Sequence, residues 1–175
     1  MLQHLVLVAL GAQSPRLTEE LTGAILDCSC SISDSRISHQ GGYYSALLKI
    51  SGTWDAVAKL ENILPGKMNS FGLTYQLDRL PEVKNTAGMM PYAIDAVCLD
   101  RPGVIFEIVR FMADNELQVQ DLYSNTYQAA NTGTQMFSVH MTINIPSDTA
   151  VSLVRNDFMD FCDRLNLDAI MEPVK

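Results

Sequence analysis

The residues with the clearest chemical potential form a short polar turn in the second half of the chain. Residues 97–103 read VCLDRPG, and an amphipathic pattern begins directly after them, so the turn should lead from a strand into a helix. The first N–H groups of a helix have no partner within it and favour a carboxylate. Asp100 can accept hydrogen bonds from the loop backbone, and Gly103 lets the backbone approach a ligand. The turn could therefore hold a small anion or zwitterion, although the same residues would also make a sound turn and helix start without a ligand.

A weaker version of this turn occurs one domain length earlier, where residues 7–16 read LVALGAQSPR. Gly11 and Ser14 retain some flexibility and polarity, but the aspartate is absent and Arg16 stands where the second turn has Gly103. A side chain at that position obstructs the close approach of a ligand to the backbone. Two interpretations stay open: Arg16 meets a carboxylate, or the first turn serves only dimerisation or partner contact.

Motifs for catalysis are absent from the sequence. It contains no Gly-x-Ser-x-Gly elbow, no Walker loop, no G-x-G-x-x-G and no H-E-x-x-H. Asp157, Asp160 and Asp163 are spaced as on an exposed helix face, and no spacing specifies a pocket with a perturbed acid. We therefore expect neither enzymatic activity nor a cofactor.

The cysteines and histidines do not form a metal-binding pattern. Cys28 and Cys30 are separated by one residue, whereas zinc and thioredoxin motifs have two residues between their cysteines. The four cysteines are expected to be small buried hydrophobic residues. The three histidines fall on separate predicted strands, and each should lie at the surface or at an edge. The sequence predicts no metal site.

Hydrophobic periodicity gives the same order of elements in both halves. Alternating apolar residues predict a half-buried strand over residues 137–145, and helical spacing predicts a helix over residues 102–115. Each half reads strand, helix, strand, strand, helix, strand, which is the ferredoxin-like α+β arrangement of an antiparallel sheet with both helices on one face. We predict two tandem βαββαβ domains, at residues 1–80 and 91–175, joined by a linker over residues 81–90.

The remaining structural expectations concern helix ends and exposed sheet surface. The helix that begins at Thr53 should break or end at Pro65-Gly66, because proline lacks the N–H that a helix interior needs. The corresponding helix of the second half should begin at Pro146. Each sheet keeps one uncovered face and open edge strands, so we expect the two units to pack together and the chain to self-associate.

Negative charge is concentrated in the second half. The net charge is −8; residues 1–80 hold six Lys/Arg and seven Asp/Glu, a net of −1, and residues 91–175 hold five and twelve, a net of −7. Nucleic acids are bound by neutralising phosphates, so direct binding to DNA or RNA is disfavoured. The RNA-recognition module of the same topology needs aromatic-rich strands, and Tyr43-Tyr44 comes nearest without fitting. The acidic half either faces a basic partner or only aids solubility.

No segment suggests export or membrane insertion. The first residues lack a basic region, the apolar run that follows them stops at Gly11, and no stretch approaches the roughly 20 apolar residues of a membrane span. We therefore expect a cytoplasmic protein.

The Asp100-Arg101-Pro102-Gly103 turn inside a βαββαβ pattern resembles the ACT domain, a small-molecule sensing module of amino-acid metabolic enzymes and regulators. A tandem pair without any attached domain narrows the resemblance to the glycine cleavage system transcriptional repressor family. The resemblance covers essentially the whole chain. It rests on an ordered set of segments: residues 30–36, 52–54, 60–61, 136–138, 144–146 and 161–168.

The resemblance implies a regulator that does not itself bind DNA. It implies that the protein restrains a LysR-type activator of the glycine cleavage operon, with glycine as the signal. Ligand binding would then change affinity for the partner by a coupling free energy that is typically about 1–3 kcal/mol. The alternatives are a regulatory subunit that gives amino-acid feedback on a metabolic enzyme, and a dimerisation module without a ligand.

The residues expected to bind a small amino acid lie in the turns and on one strand of each unit. Residues 32–35 match residues 119–122, because both segments follow their proline at the same distance. The candidate residues are Asp100, Arg101, Pro102, Gly103, Val104, Asp121, Leu122, Gly11, Ser14 and Asp34.

Overall fold

The structure is a computed structural model that describes residues 2–81 and 88–174. The chain divides into two units, Met1–Lys84 and Asn85–Lys175, and each has its own hydrophobic core. Of the linker predicted over residues 81–90, residues 82–87 lie outside the described part of the chain. Its last two residues already belong to the first strand of the second unit.

The first unit forms one antiparallel sheet in the strand order β2-β3-β1-β4. Alternate residues of the central strands β1 and β3 are buried against the two helices, and this alternation produces a single core. Its elements are β1 (Gln3–Ala12), α1 (Leu17–Leu26), β2 (Ser31–Gln40), β3 (Tyr43–Gly52), α2 (Trp54–Phe71) and β4 (Leu73–Leu80).

The second unit repeats this arrangement with the strand order β6-β7-β5-β8. The predicted two-residue alternation is confirmed in β7, where Val139, Met141, Ile143 and Ile145 are buried. The predicted fold of two ferredoxin-like units is therefore confirmed. The elements are β5 (Met89–Leu99), α3 (Val104–Asp114), β6 (Gln118–Gln128), β7 (Gln135–Pro146), α4 (Val151–Leu165) and β8 (Asp168–Pro173).

An irregularity of strand pairing also occurs twice at corresponding positions. The β2–β3 register shifts between Ile32 and Asp34, and the β6–β7 register shifts between Val119 and Asp121. A β-bulge of this kind places an extra residue in one strand and locally changes which side chains face each side of the sheet. The repeat therefore extends from the element order down to a single inserted residue.

Two predicted helix ends are wrong. Helix α2 continues through Pro65 to Phe71, because Leu60, Leu64 and Met68 keep one fully buried stripe across the proline. Packing of that stripe compensates for the backbone hydrogen bond that the proline removes. Helix α4 begins at Val151 rather than at the predicted proline, which ends β7 instead.

Candidate functional site

The second turn is a surface feature held in place by its own backbone. The N–H of Asp100 donates to the carbonyl of Gln135 at 3.0 Å, which fixes the start of the turn to the end of the neighbouring strand. Gly103 has φ 93° and ψ −5° and caps α3, and its carbonyl accepts from the N–H of Glu107 at 2.9 Å. Pro102 therefore precedes the helix rather than occupying its first turn as predicted, while Val104 begins the helix and is buried.

Arg101 is bound within the turn rather than extended toward solvent. Its guanidinium donates to both carboxylate oxygens of Glu107, with N–O distances of 3.1 and 2.5 Å. This hydrogen bonding lowers the pKa of Glu107 below its usual value and raises that of Arg101. The pair connects the polar turn to the first helical turn of α3. Arg101 therefore helps to fix the conformation of the polar turn.

The first turn has the same backbone conformation although its sequence differs. Arg16 caps α1 with φ 67° and ψ 0°, in the left-handed region that Gly103 also occupies. The N–H of Gln13 donates to the carbonyl of Gly42 at 2.9 Å, as that of Asp100 does to Gln135. The Arg16 side chain donates two hydrogen bonds of 2.9 Å to Glu19, and the residue that replaces the glycine keeps the turn conformation.

The other candidates of the first unit are placed apart from one another. Gly11 lies in β1 where an added Cβ would stand 2.9 Å from the carbonyl oxygen of Gly72, so close packing of the backbone accounts for this glycine. Ser14 is exposed, and its hydroxyl donates to the carbonyl of Pro15 at 3.3 Å. Asp34 is exposed on β2 and forms an ion pair with Arg36 at 2.6 Å.

Asp121 and Leu122 do not lie beside the second turn within their own unit. Leu122 packs against the core, whereas Asp121 is on the opposite, open face of the sheet. Leu122 is opposite Met141, which is opposite Ile94, and β5 runs five more residues before the turn. At about 3.4 Å per residue this separation is roughly 17 Å. Within the second unit, the predicted site residues therefore lie in two separate regions.

A hollow of about 230 Å³ lies on the open face of the second sheet, and Asp121 forms part of its wall. His140 is one of its lining residues, and its Nδ1 is hydrogen-bonded to the carboxylate of Asp95. The ring of Tyr123 stacks on the imidazole with centroids 4.6 Å apart and an interplanar angle of 17°. The hollow is lined by Ala93, Ile94, Asp95, Asp121, Tyr123, His140, Met141 and Thr142.

Sequence reasoning did not find this cluster. The alternation of β7 already places His140 and Thr142 on the face opposite the core. The missing information was the register of three strands, which sets His140 between Asp95 and Tyr123. His140 lies on a central strand of the sheet, at its surface but away from either edge.

The cysteines of the chain are buried thiols, and the described residues contain no cluster of metal-binding side chains. All four cysteines are free and buried, as predicted, and burial raises the pKa of Cys162 to about 12. Burial also raises the pKa values of Cys30 and Cys98. Within residues 2–81 and 88–174 no group of three or more His, Cys, Asp and Glu side chains could hold a metal ion. In that same part of the chain no helix is long and apolar enough to span a membrane.

Comparison with known proteins shows what the two units are similar to. A sequence model of the ACT domain matches residues 3–78, which is nearly all of the first unit that the structure describes. The first unit is therefore similar to ACT domains in sequence. The second unit repeats the strand order, the helix positions and the bulge of the first unit, so the two units share one fold.

The tandem arrangement is shared with proteins that match along the whole chain. Over 169 residues the chain is 26% identical to the glycine cleavage system transcriptional repressor of Escherichia coli (strain K12), covering 93% of this chain and 86% of that protein. A crystal structure of a candidate glycine cleavage system transcriptional repressor superimposes with a TM-score of 0.71 at 20% identity, covering 100% of this chain and 99% of that one. A protein of unknown function from Galdieria sulphuraria gives a TM-score of 0.78 at 17% identity, with full coverage of both chains. The predicted resemblance of the whole chain to the glycine cleavage system transcriptional repressor family is confirmed.

Proposed function

We propose that this protein is a non-enzymatic regulator that responds to a small amino acid such as glycine. It acts by contact with a LysR-type transcription activator, as a homo-oligomer in the cytoplasm, and it does not bind DNA itself. The observation that carries the proposal is the match to a transcriptional repressor over 93% of the chain, which accounts for both ACT domains together. Residues 1–80 and 91–175 are the two functional domains.

Charge supports contact with a protein rather than with nucleic acid. The four strands of the second unit contain no lysine or arginine, and residues 91–175 carry a net charge of −7. A surface of this sign repels phosphates and attracts basic protein surfaces. DNA-binding proteins carry such basic surfaces, so an acidic regulator suits a partner that binds DNA.

The second turn is the better candidate for the amino-acid site. Gly103 leaves open space, since no atom beyond its neighbours along the chain lies within 4 Å of the position that a Cβ would take. The N-terminus of α3 offers unpaired N–H groups and a positive dipole end, which favour a ligand carboxylate. In the first turn the corresponding residue is Arg16, whose side chain is hydrogen-bonded to Glu19.

Calorimetry on the full chain tests the ligand. We expect saturable binding of glycine or a related small amino acid, and loss of that binding in Gly103→Val. Because valine is strained at this φ, Gly103→Ala serves as a second variant with a smaller backbone cost. Arg16→Ala is the matched control, because it changes the corresponding position of the first turn. A folded protein that binds none of these amino acids, or a Gly103→Val variant with unchanged binding, contradicts the proposed site.

The partner is tested by capture with the tagged full chain, followed by reconstitution with the purified candidate. Recovery of a LysR-type activator whose binding changes with amino acid concentration supports the proposal. Direct and stable binding of a metabolic enzyme would replace it with amino-acid feedback on that enzyme. A band shift of operator DNA by this protein alone would also contradict it.

A further inference from the structure

The open face of the first sheet carries an apolar patch at its centre, which has no role in the amino-acid site proposed above. Val8, Leu10 and Leu47 are 45%, 50% and 46% exposed. Val8 is directly opposite Leu47 in the pairing of β1 with β3, and Leu10 follows Val8 on the same face. Ala9, between them along β1, is buried in the core on the other face. These three aliphatic side chains form one continuous patch on the two central strands, which we call the sheet patch.

The second unit shows that the fold does not require aliphatic residues at this place. Where the first unit has Val8 opposite Leu47, the second has Asp95 opposite His140. The carboxylate of Asp95 and the imidazole of His140 are hydrogen-bonded to each other. The scaffold therefore accepts a polar pair in one copy and an exposed aliphatic pair in the other. Burial of the aliphatic pair against a second surface gives it a reason of its own, because removing apolar area from water is favourable.

Charge on this face is balanced, which suits contact between two identical surfaces. On the four strands, the Lys, Arg, Asp and Glu side chains that pairing places on the open face are two acids and two bases: Asp34, Arg36, Lys49 and Asp78. A two-fold axis brings a surface against its own copy, so a net charge would cause repulsion. The balance removes this repulsion and gives the face little attraction to the basic surface of a DNA-binding protein.

The area of the face is sufficient for a stable dimer. Strands β1, β2 and β3 have ten residues each, and β4 has eight. At about 4.8 Å between strands and about 3.4 Å per residue, the face measures roughly 19 Å by 34 Å, or about 650 Å². Two such faces in contact bury about 1,300 Å², and stable, specific interfaces bury about 1,200–2,000 Å².

We propose that the open face of the first sheet binds the same face of a second copy of this chain, in a two-fold symmetric dimer centred on the sheet patch. Sheets that pack face to face lie about 10 Å apart and interdigitate their side chains. The central strands supply the apolar centre, and polar residues of the outer strands supply the rim, such as Arg36 beside Leu47 and Gln76 beside Val8. This contact surface rests on the homo-oligomer of the proposed function and specifies where its copies meet.

Sedimentation velocity of the full chain over a concentration series measures the association. Leu47→Glu should weaken it about thirtyfold or more, because the symmetric dimer brings two new carboxylates into its apolar centre. The double variant Val8→Asp with Leu47→His should weaken it as well. It copies the pair that the second unit carries at these positions, so it is compatible with the fold. Far-UV circular dichroism confirms that each variant is folded.

Leu153→Glu is the matched control. It introduces the same side chain at a leucine that is 63% exposed on α4 of the second unit, and it should leave the association unchanged. A mixture of isotope-labelled and unlabelled chains gives direct evidence of contact. We expect NOEs between the Leu47 methyl groups of one copy and methyl groups of the sheet patch of the other.

An association that Leu47→Glu leaves intact, or that Leu153→Glu weakens equally, would overturn this contact surface while the homo-oligomer of the proposed function stands. A chain that stays monomeric throughout the series would overturn both. Calorimetry with amino acids is a separate measurement, so the proposed amino-acid response is decided on its own in either case.

Discussion

The buried hydroxyl of Tyr44 provides a direct test of how the core of the first unit is built. Tyr44 is fully buried in β3, and no atom of the described residues forms a hydrogen bond of normal distance and angle with its hydroxyl. The ring contacts His39 edge-on at 5.4 Å, and burial raises the pKa of the hydroxyl. The corresponding strand position of the second unit is Phe137, because Tyr44 is opposite Gly11 as Phe137 is opposite Cys98. The fold therefore has room for a phenylalanine at this position.

The expected effect of Tyr44→Phe is an increase in the free energy of unfolding. A buried hydroxyl without a partner costs about 1–3 kcal/mol, and the substitution removes it while keeping the ring. We expect a gain of about 1–2 kcal/mol. For a unit of this size, about 1 kcal/mol corresponds to roughly 4–8 °C in melting temperature.

Urea denaturation of the full chain measures this change. Trp54, the single tryptophan, lies in α2 of the first unit, so its fluorescence reports on the unit that contains Tyr44, and far-UV circular dichroism reports on both units. The midpoint for Tyr44→Phe should rise with an unchanged slope. The reciprocal variant Phe137→Tyr should be nearly neutral, because that side chain is only partly buried and a hydroxyl there can reach water.

A fall in the midpoint for Tyr44→Phe would refute this reasoning, because the hydroxyl would then have a stabilising partner. Thr18 is the residue to examine in that case, since its side chain lowers the pKa of Tyr44 against the effect of burial. A double-mutant cycle with Thr18→Val would measure the coupling between the two hydroxyls.

Three further outcomes are expected. Phe158→Ala should lower the free energy of unfolding by about 3–5 kcal/mol in urea denaturation, because this ring is 1% exposed and packs against two other phenylalanines. Gly11→Ala should cost about 2 kcal/mol in the same assay, since its Cβ would press on a backbone carbonyl that cannot move aside freely. The lowered pKa of Glu107 means that its pairing with Arg101 stabilises the fold above the ordinary pKa of glutamate and is lost as the pH falls through the folded value. Glu107→Gln should remove that part of the acid dependence, measured as melting temperature between neutral pH and pH 3.

The fold could be predicted from the sequence because its periodicities are long and repeated. The alternation in β7 fixed one face of the second sheet, and the same order of elements in the first half made the assignment consistent. Helix ends were harder to predict because they depend on packing. Pro65 is a strong helix breaker by local chemistry, yet three buried residues around it keep α2 continuous. Local propensity gives way where tertiary contacts outweigh it.

The candidate site was predictable only where it is local in sequence. The second turn could be predicted because its residues are adjacent in sequence. Its backbone has the geometry that a ligand loop would need. The hollow depends on residues from three strands, and their proximity follows from register rather than from spacing along the chain. The repeated motif predicts Asp121 and Leu122 together as site residues, but the pleat directs Asp121 to the open face and Leu122 to the core. A shift of one residue would exchange these two directions.

Arg16 adopts the left-handed conformation that Gly103 has in the second turn. The first turn therefore shows what happens to this backbone when a residue with a side chain replaces the glycine. An L side chain in this conformation costs about 1–2 kcal/mol, and the first unit carries that cost without losing the turn. The hydrogen bond between the strand end and the hairpin therefore maintains the turn geometry. The residue at the position of Arg16 and Gly103 can vary. A duplicated domain of this kind can give up recognition in one copy while the scaffold stays intact. The two halves of the chain are therefore able to diverge independently at this position.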